Sequence, residues 1–271
     1  MTVTMKPSES VNTADAGAFK RLRIFNTVMA PVHFTQGVIV LLLSTDFSLP
    51  VTTSFLRFDE STEKLVEDPN TLGDLRLAPL VALFLFLSGA AHLVLTLPVV
   101  NDWYNRNLAR GINYARGVEY AVSASVMIVV IAMLTGVYDL GSLIMLFVLN
   151  ATMISFGLVM EIQNKGRAKE DVNWTPFWLG SAVGAVPWII IGLYLFAPAT
   201  RSVGDVPTFV YGIFGSLFIF FNVFAINMFL QYKKIGRWRD YLHGERAYIV
   251  LSLTAKSALA WQVFFGTLRD V

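Results

Sequence analysis

The chain has 271 residues, 55% of them hydrophobic and 15% charged, with a net charge of +2, a balance more apolar and less charged than that of water-soluble domains. The absence of cysteine excludes disulfides, iron–sulfur clusters and thiol nucleophiles, and three histidines are too few to suggest a metal site. A small net charge spread over short connections also excludes a nucleic-acid surface.

Taken in chain order, residues 1–23 are polar and lead into an apolar stretch too long for a signal-peptide core, with no small-residue cleavage site behind it, so a retained first helix is expected. Crossing roughly 30 Å of hydrocarbon takes about 20 apolar residues. Seven stretches qualify, near 24–45, 77–100, 113–136, 140–162, 176–197, 207–231 and 246–268. Unbroken apolar runs of this length form helices and not barrel strands. The fold class is therefore all-α, a seven-transmembrane-helix bundle forming one domain over 24–268, with a tail at 269–271. Only the connection over 46–76 is long. Its β-prone run VTTSFLRF and the following turn-forming, acidic EDPNTLGD predict a small hairpin.

Loop charges orient the bundle, because Lys and Arg concentrate on the cytoplasmic side. One side carries fifteen: Lys6, Lys20, Arg21 and Arg23, then Arg106, Arg110 and Arg116, then Lys165, Arg167 and Lys169, then Lys233, Lys234, Arg237, Arg239 and Arg246. The other carries five: Arg57, Lys64, Arg76, Arg201 and Arg269. The N-terminus is accordingly expected inside a cell membrane. Seven crossings put the C-terminus and the hairpin outside.

The remaining basic residue is Lys256, about ten residues into the last span and so roughly 15 Å along the helix axis. A charge at that depth costs several kcal/mol, normally faces the bundle interior and marks function. Burial favours the neutral amine, the form that attacks an aldehyde to give a Schiff base. Glu119 enters the third span from the same side as Lys256 enters the seventh, which makes it the candidate counterion; a surface pair with Arg116, three residues earlier, is the alternative. Ser123 and Ser252 lie four residues from Glu119 and Lys256, on the same helix faces. A backbone bond within their own helices is the competing use of both hydroxyls.

His33 and His92 are intramembrane, and with Ser88, Asn26 and Gln36 they suggest a polar cluster that either accepts a proton or ties helices together. Asn150, Asn222 and Asn227 are expected to face inward, Glu161 to make a surface pair near Lys165, and His243 to be solvated. Trp178, Trp188, Phe220, Phe221 and Trp261 offer aromatic walls for a flat apolar ligand.

The segments VEYAVSAS in the third span and ERAYIVLSLTAKSALAWQVFFGTL in the seventh, together with the inverted orientation, resemble a heliorhodopsin over nearly the whole chain. The resemblance implies retinal, all-trans in the dark and isomerising to 13-cis, joined to Lys256 as a protonated Schiff base with Glu119 as counterion. It matches Ser252 to the serine near that pair, and His33 and His92 to the family's inner histidines; Ser123, Met153, Trp178 and Phe221 are the further candidates for contact with the chromophore. It also implies a slow photocycle and a homodimer supported by the outer loop.

A non-enzymatic light sensor signalling to an unknown cytoplasmic partner is the leading expectation, because Ser252 stands one turn before Lys256 where proton pumps carry a second carboxylate. A light-driven or light-gated proton transporter and a retinal-free transporter are the rival readings.

Overall fold

The computed structural model describes residues 13–196 and 206–269. Lys6 and Arg201 of the charge count, residues 1–12 of the expected N-terminal segment and residues 270–271 of the expected tail lie outside them.

Among the described residues seven helices are long and apolar enough to cross a membrane, making this a multi-pass membrane protein. Helix α1 (Thr13–Leu43) leads into strands β1 (Ser48–Asp59) and β2 (Lys64–Arg76), followed by α2 (Leu77–Val94), the short α3 (Pro98–Leu108) and α4 (Tyr114–Leu134). Then come α5 (Leu140–Gln163), α6 (Thr175–Phe196), α7 (Thr208–Tyr232) and α8 (Tyr241–Val263), the last continuing as a wider turn over Phe264–Leu268. The seven spans fall where hydropathy places them, but α1 and α8 start earlier than the apolar runs near 24 and 246. Hydropathy reports contact with lipid, and a helix carrying Lys20, Arg21 and Arg23 continues into the headgroups without it.

The connection after the second span is not a plain loop. Pro98 lacks an N–H and cannot extend α2, yet its fixed φ suits a first helical turn, so it opens α3 instead. This helix buries Asn101, Tyr104 and Leu108 against the bundle and exposes Val99 and Trp103. Burial pushes the Tyr104 phenol well above its ordinary range.

The strands form the expected hairpin, paired antiparallel from Ser48↔Arg76 to Asp59↔Lys64. EDPNTLGD lies within β2 and is not the turn; the chain reverses between Asp59 and Lys64, where Asp59 accepts the Ser61 amide at 2.9 Å and its hydroxyl at 2.6 Å. Asp and Ser bonding of this kind closes a turn locally, whereas Pro69 and Asn70 are tolerated on a two-stranded ribbon with open edges. The base of the hairpin is fixed by Thr52 N–H to the Tyr138 carbonyl at 2.9 Å and Thr45 N–H to the Leu268 carbonyl at 2.7 Å.

Helix α4 is the inner member of the bundle, with Ile128, Val130, Ile131, Ala132 and Met133 fully buried. Lipid is as apolar as these side chains, so close packing and polar cross-links hold the helices together. Asn150 donates to Ser125 Oγ at 3.1 Å between α5 and α4, and Trp261 Nε1 donates to Gln36 Oε1 at 3.0 Å between α8 and α1. Each such bond contributes about 0.6 kcal/mol.

Candidate functional site

Lys256 lies halfway along α8 and is 2% exposed. Its Nζ donates to Glu119 Oε1 at 3.0 Å and to Ser252 Oγ at 2.9 Å. It also stands 4.9 Å from the centre of the Tyr120 ring, within reach of a cation–π contact. From α2, Ser88 donates to Glu119 Oε1 at 2.7 Å. Three helices thus converge on one carboxylate and one amine, a neutral pair whose members satisfy each other in a low dielectric. Ser123 Oγ is buried beside Glu119 without a well-formed hydrogen bond.

Beyond Ser88, the His33 and His92 rings stack at 5.5 Å with 13° between their planes. Asn26 gives its amide N–H to the Leu22 carbonyl at 3.0 Å, so its Oδ1 faces His92 Nδ1 at 2.7 Å and assigns the proton to that nitrogen. Both nitrogens of His33 are buried without a partner. Gln36 does not join this cluster; the indole of Trp261 occupies it.

A cavity of about 330 Å³ runs from Lys256 between α4, α5, α6, α7 and α8. Met127, Met153, Trp188, Phe218, Phe221 and Phe224 form much of its apolar wall. Gly184 lets Met153 pack against α6, because a Cβ there would sit 2.2 Å from Met153 Sδ. Trp178 is not on this wall. It is 65% exposed and packs edge-to-face on Phe177, because Gly180, Gly184 and Trp188 define the inward face of α6. Phe220 and Trp261 are also absent from the lining. Asn222 lines the cavity from α7 while remaining accessible, with its amide donating to the Phe218 carbonyl of its own helix at 2.8 Å.

Glu161 makes no surface pair with Lys165. It is 2% exposed and pairs with Arg116, which also pairs with Glu245, itself 1% exposed. Arg116 therefore belongs to this second cluster and not to Glu119. The Arg116 guanidinium lies 3.8 Å over the Tyr248 ring. Asn113 donates its backbone N–H to Glu161 at 2.8 Å and its side-chain amide to Glu245 at 2.6 Å. Sequence reasoning missed Glu245, Tyr248 and Tyr120. The spacing held a signal: Glu245 is eleven residues, three helical turns, before Lys256, and Tyr120 is one turn after Arg116. His243 is partly covered and meets the Trp238 ring edge-to-face at 5.1 Å.

A seven-helix bundle with a buried lysine–carboxylate pair facing an apolar cavity defines the class of rhodopsin-like membrane proteins. Solved structures agree on the fold. The light-driven proton pump Coccomyxa subellipsoidea rhodopsin CsR aligns with a TM-score of 0.57 at 14% identity, covering 90% of this chain and 95% of that one. The light-driven proton pump LR (Mac) from Leptosphaeria maculans aligns with a TM-score of 0.52 at 11% identity, covering 95% and 97%. No curated protein matches by sequence. The heliorhodopsin family pattern matches residues 22–268, and the chain belongs to that family.

Family membership implies retinal as the chromophore, and the residues present fit it. The cavity is predominantly apolar, aromatic and methionine side chains line it, and the Lys256 amine is among its lining groups.

Proposed function

We propose that this chain is a retinal-binding light sensor of the cell membrane, with Lys256 as chromophore anchor and Glu119 as its single counterion. The observation that carries the reading is the 3.0 Å contact of Lys256 Nζ with Glu119, with Lys256 also lining the apolar cavity. Retinal, bound as a protonated Schiff base and all-trans in the dark, supplies visible absorption and isomerisation to 13-cis.

The chain's own residues do the rest. Glu119 balances the positive charge at Nζ, which a low dielectric would otherwise disfavour. Ser88 and Ser252 fix the geometry of the pair, and the wall from Met127 to Trp188 excludes water. Displacement of Nζ from Glu119 deprives the carboxylate of its partner, and Ser88 conveys that change to α2. His92, one turn along α2 from Ser88, and His33, stacked on it from α1, are placed to take up a proton. The slow return of these groups sets a slow photocycle.

The strongly basic loops carrying Lys165, Arg167, Lys169, Lys233, Lys234, Arg237 and Arg239 face the cytoplasm by the charge rule and offer a surface to a signalling partner. The N-terminus is then inside and the C-terminus outside. The exposed Phe55, Leu56, Phe58 and Leu65 of the hairpin favour a homodimer joined on the outer side.

Ser252, in place of a carboxylate one turn before Lys256, favours sensing over pumping. Transport of protons is the second reading, favoured by the buried carboxylates Glu161 and Glu245 and by a fold shared with proteins described as light-driven proton pumps. Adding all-trans retinal to purified apoprotein is expected to raise a visible band; its absence overturns the chromophore assignment. Illuminated vesicles are expected to show no sustained current or pH change, and a sustained current decides for transport.

A further inference from the structure

The second buried cluster does not balance. Arg116 supplies one positive charge, whereas Glu161 and Glu245 bring two carboxylates, and the three side chains are 10%, 2% and 1% exposed. The groups facing them are Tyr104 from α3, Asn113 from α4, Gln231 and Tyr232 from α7, and Tyr241 and Tyr248 from α8. None is cationic. His92 lines the same small cavity from α2, with Nδ1 committed to Asn26, and Lys256 is already matched by Glu119. An uncompensated charge at this depth costs several kcal/mol.

A separate observation marks the same place. The Tyr248 hydroxyl is buried, 3% exposed as a residue, and lies near Asn227 without a well-formed hydrogen bond. Tyr248 and Arg116 line both the cavity that begins at Lys256 and the small cavity beside Glu119 and His92. The cluster therefore sits where the two cavities meet, at the end of the bundle formed by the start of α4, the end of α5 and the start of α8.

We propose that the Arg116–Glu161–Glu245 cluster is a proton-holding site, in which the two carboxylates share one exchangeable proton between Lys256 and the basic end of the bundle. The proton comes from solvent and forms one O–H bond on a carboxyl oxygen; the other carboxylate remains paired with Arg116, so the site is neutral. This holds for the protein with or without chromophore.

Infrared spectroscopy of the dark protein at neutral pH tests it, using glutamate labelled with carbon-13 at the carboxyl carbon and exchange into heavy water. One buried carboxylic-acid C=O band is expected. Either Glu161→Gln or Glu245→Gln alone should abolish that band, because the remaining carboxylate then matches Arg116. Arg116→Gln should double it. A wild-type spectrum without the band, as when a bound cation or a charged His92 balances the cluster, overturns the proposal. So does a band that survives one of the two glutamate substitutions. If Arg116→Gln does not fold, the two glutamate variants still decide. Repeating the measurement on Lys256→Ala separates this result from the chromophore assignment: no pigment forms, the band should persist beside a second one from the stranded Glu119, and adding Glu161→Gln in that background should remove one of the two.

Discussion

Lys256–Glu119 and Arg116–Glu161–Glu245 are both buried charge clusters linking α4 to α8, yet one has equal numbers of charges and the other has an extra carboxylate. The difference teaches that burial alone does not specify a role. A balanced pair in low dielectric holds its charges in place, and an amine so held in the lining of an apolar cavity suits a covalent chromophore. An unbalanced cluster requires a mobile charge to complete it, and a proton is the smallest one available.

The largest expected effect falls on the balanced pair. Lys256→Ala should abolish covalent visible pigment entirely, measured as absorbance after adding retinal and as chromophore retained on acid denaturation. A pigment surviving in this variant would place the anchor elsewhere and remove the functional contrast between the clusters.

Arg116→Gln should come next, because it strands the buried carboxylate that the arginine neutralises. Breaking a buried pair costs about 3–5 kcal/mol, and thermal unfolding of the purified protein should show it, with less loss in acid, where neutral carboxyls need no partner. Equal loss at all pH values would argue that Arg116 acts by packing on Tyr248 and not by charge.

Glu119→Gln should keep the pigment but move its band to the red, since a carboxylate beside Nζ stabilises the ground state, with its positive charge at that nitrogen, more than the excited state, in which the charge moves along the polyene. An unchanged spectrum would demote Glu119 from counterion to structural partner.

The smallest effect belongs to an exposed carboxylate outside both clusters. Ser61 hydrogen bonds hold the Asp59 carboxyl below its ordinary range. This stabilises the turn above the ordinary carboxylate pKa, and the benefit is lost as pH falls through the lowered one. Ser61→Ala should raise the Asp59 pKa toward its ordinary value, as read by carboxyl NMR titration. No change would show that the backbone amide alone sustains the shift.

Much of the fold was legible because hydropathy over about 20 residues is a local property. Seven spans follow from it, the hairpin follows from the β-prone run VTTSFLRF, and Lys256 stands out by depth in a single helix. Glu245 was not legible in the same way. It lies near the start of its helix, where a carboxylate ordinarily meets water, and only the packing of α4, α5 and α7 around it takes that water away. Trp178 misled for the converse reason: aromatic character suits pocket wall and lipid face alike, and the orientation of α6 decides between them.

The sequence by itself determined the membrane-spanning helices, the hairpin and the presence of one lysine deep in an apolar run, because each depends on neighbours along the chain. Tertiary structure alone decided that Glu119 meets Lys256, that Gln36 turns to Trp261 and not to the histidines, and that Arg116 joins Glu161 and Glu245. These pairings unite residues from different helices, and the interaction of two charges depends on their separation in space and on the water between them, which packing fixes and spacing along the chain does not.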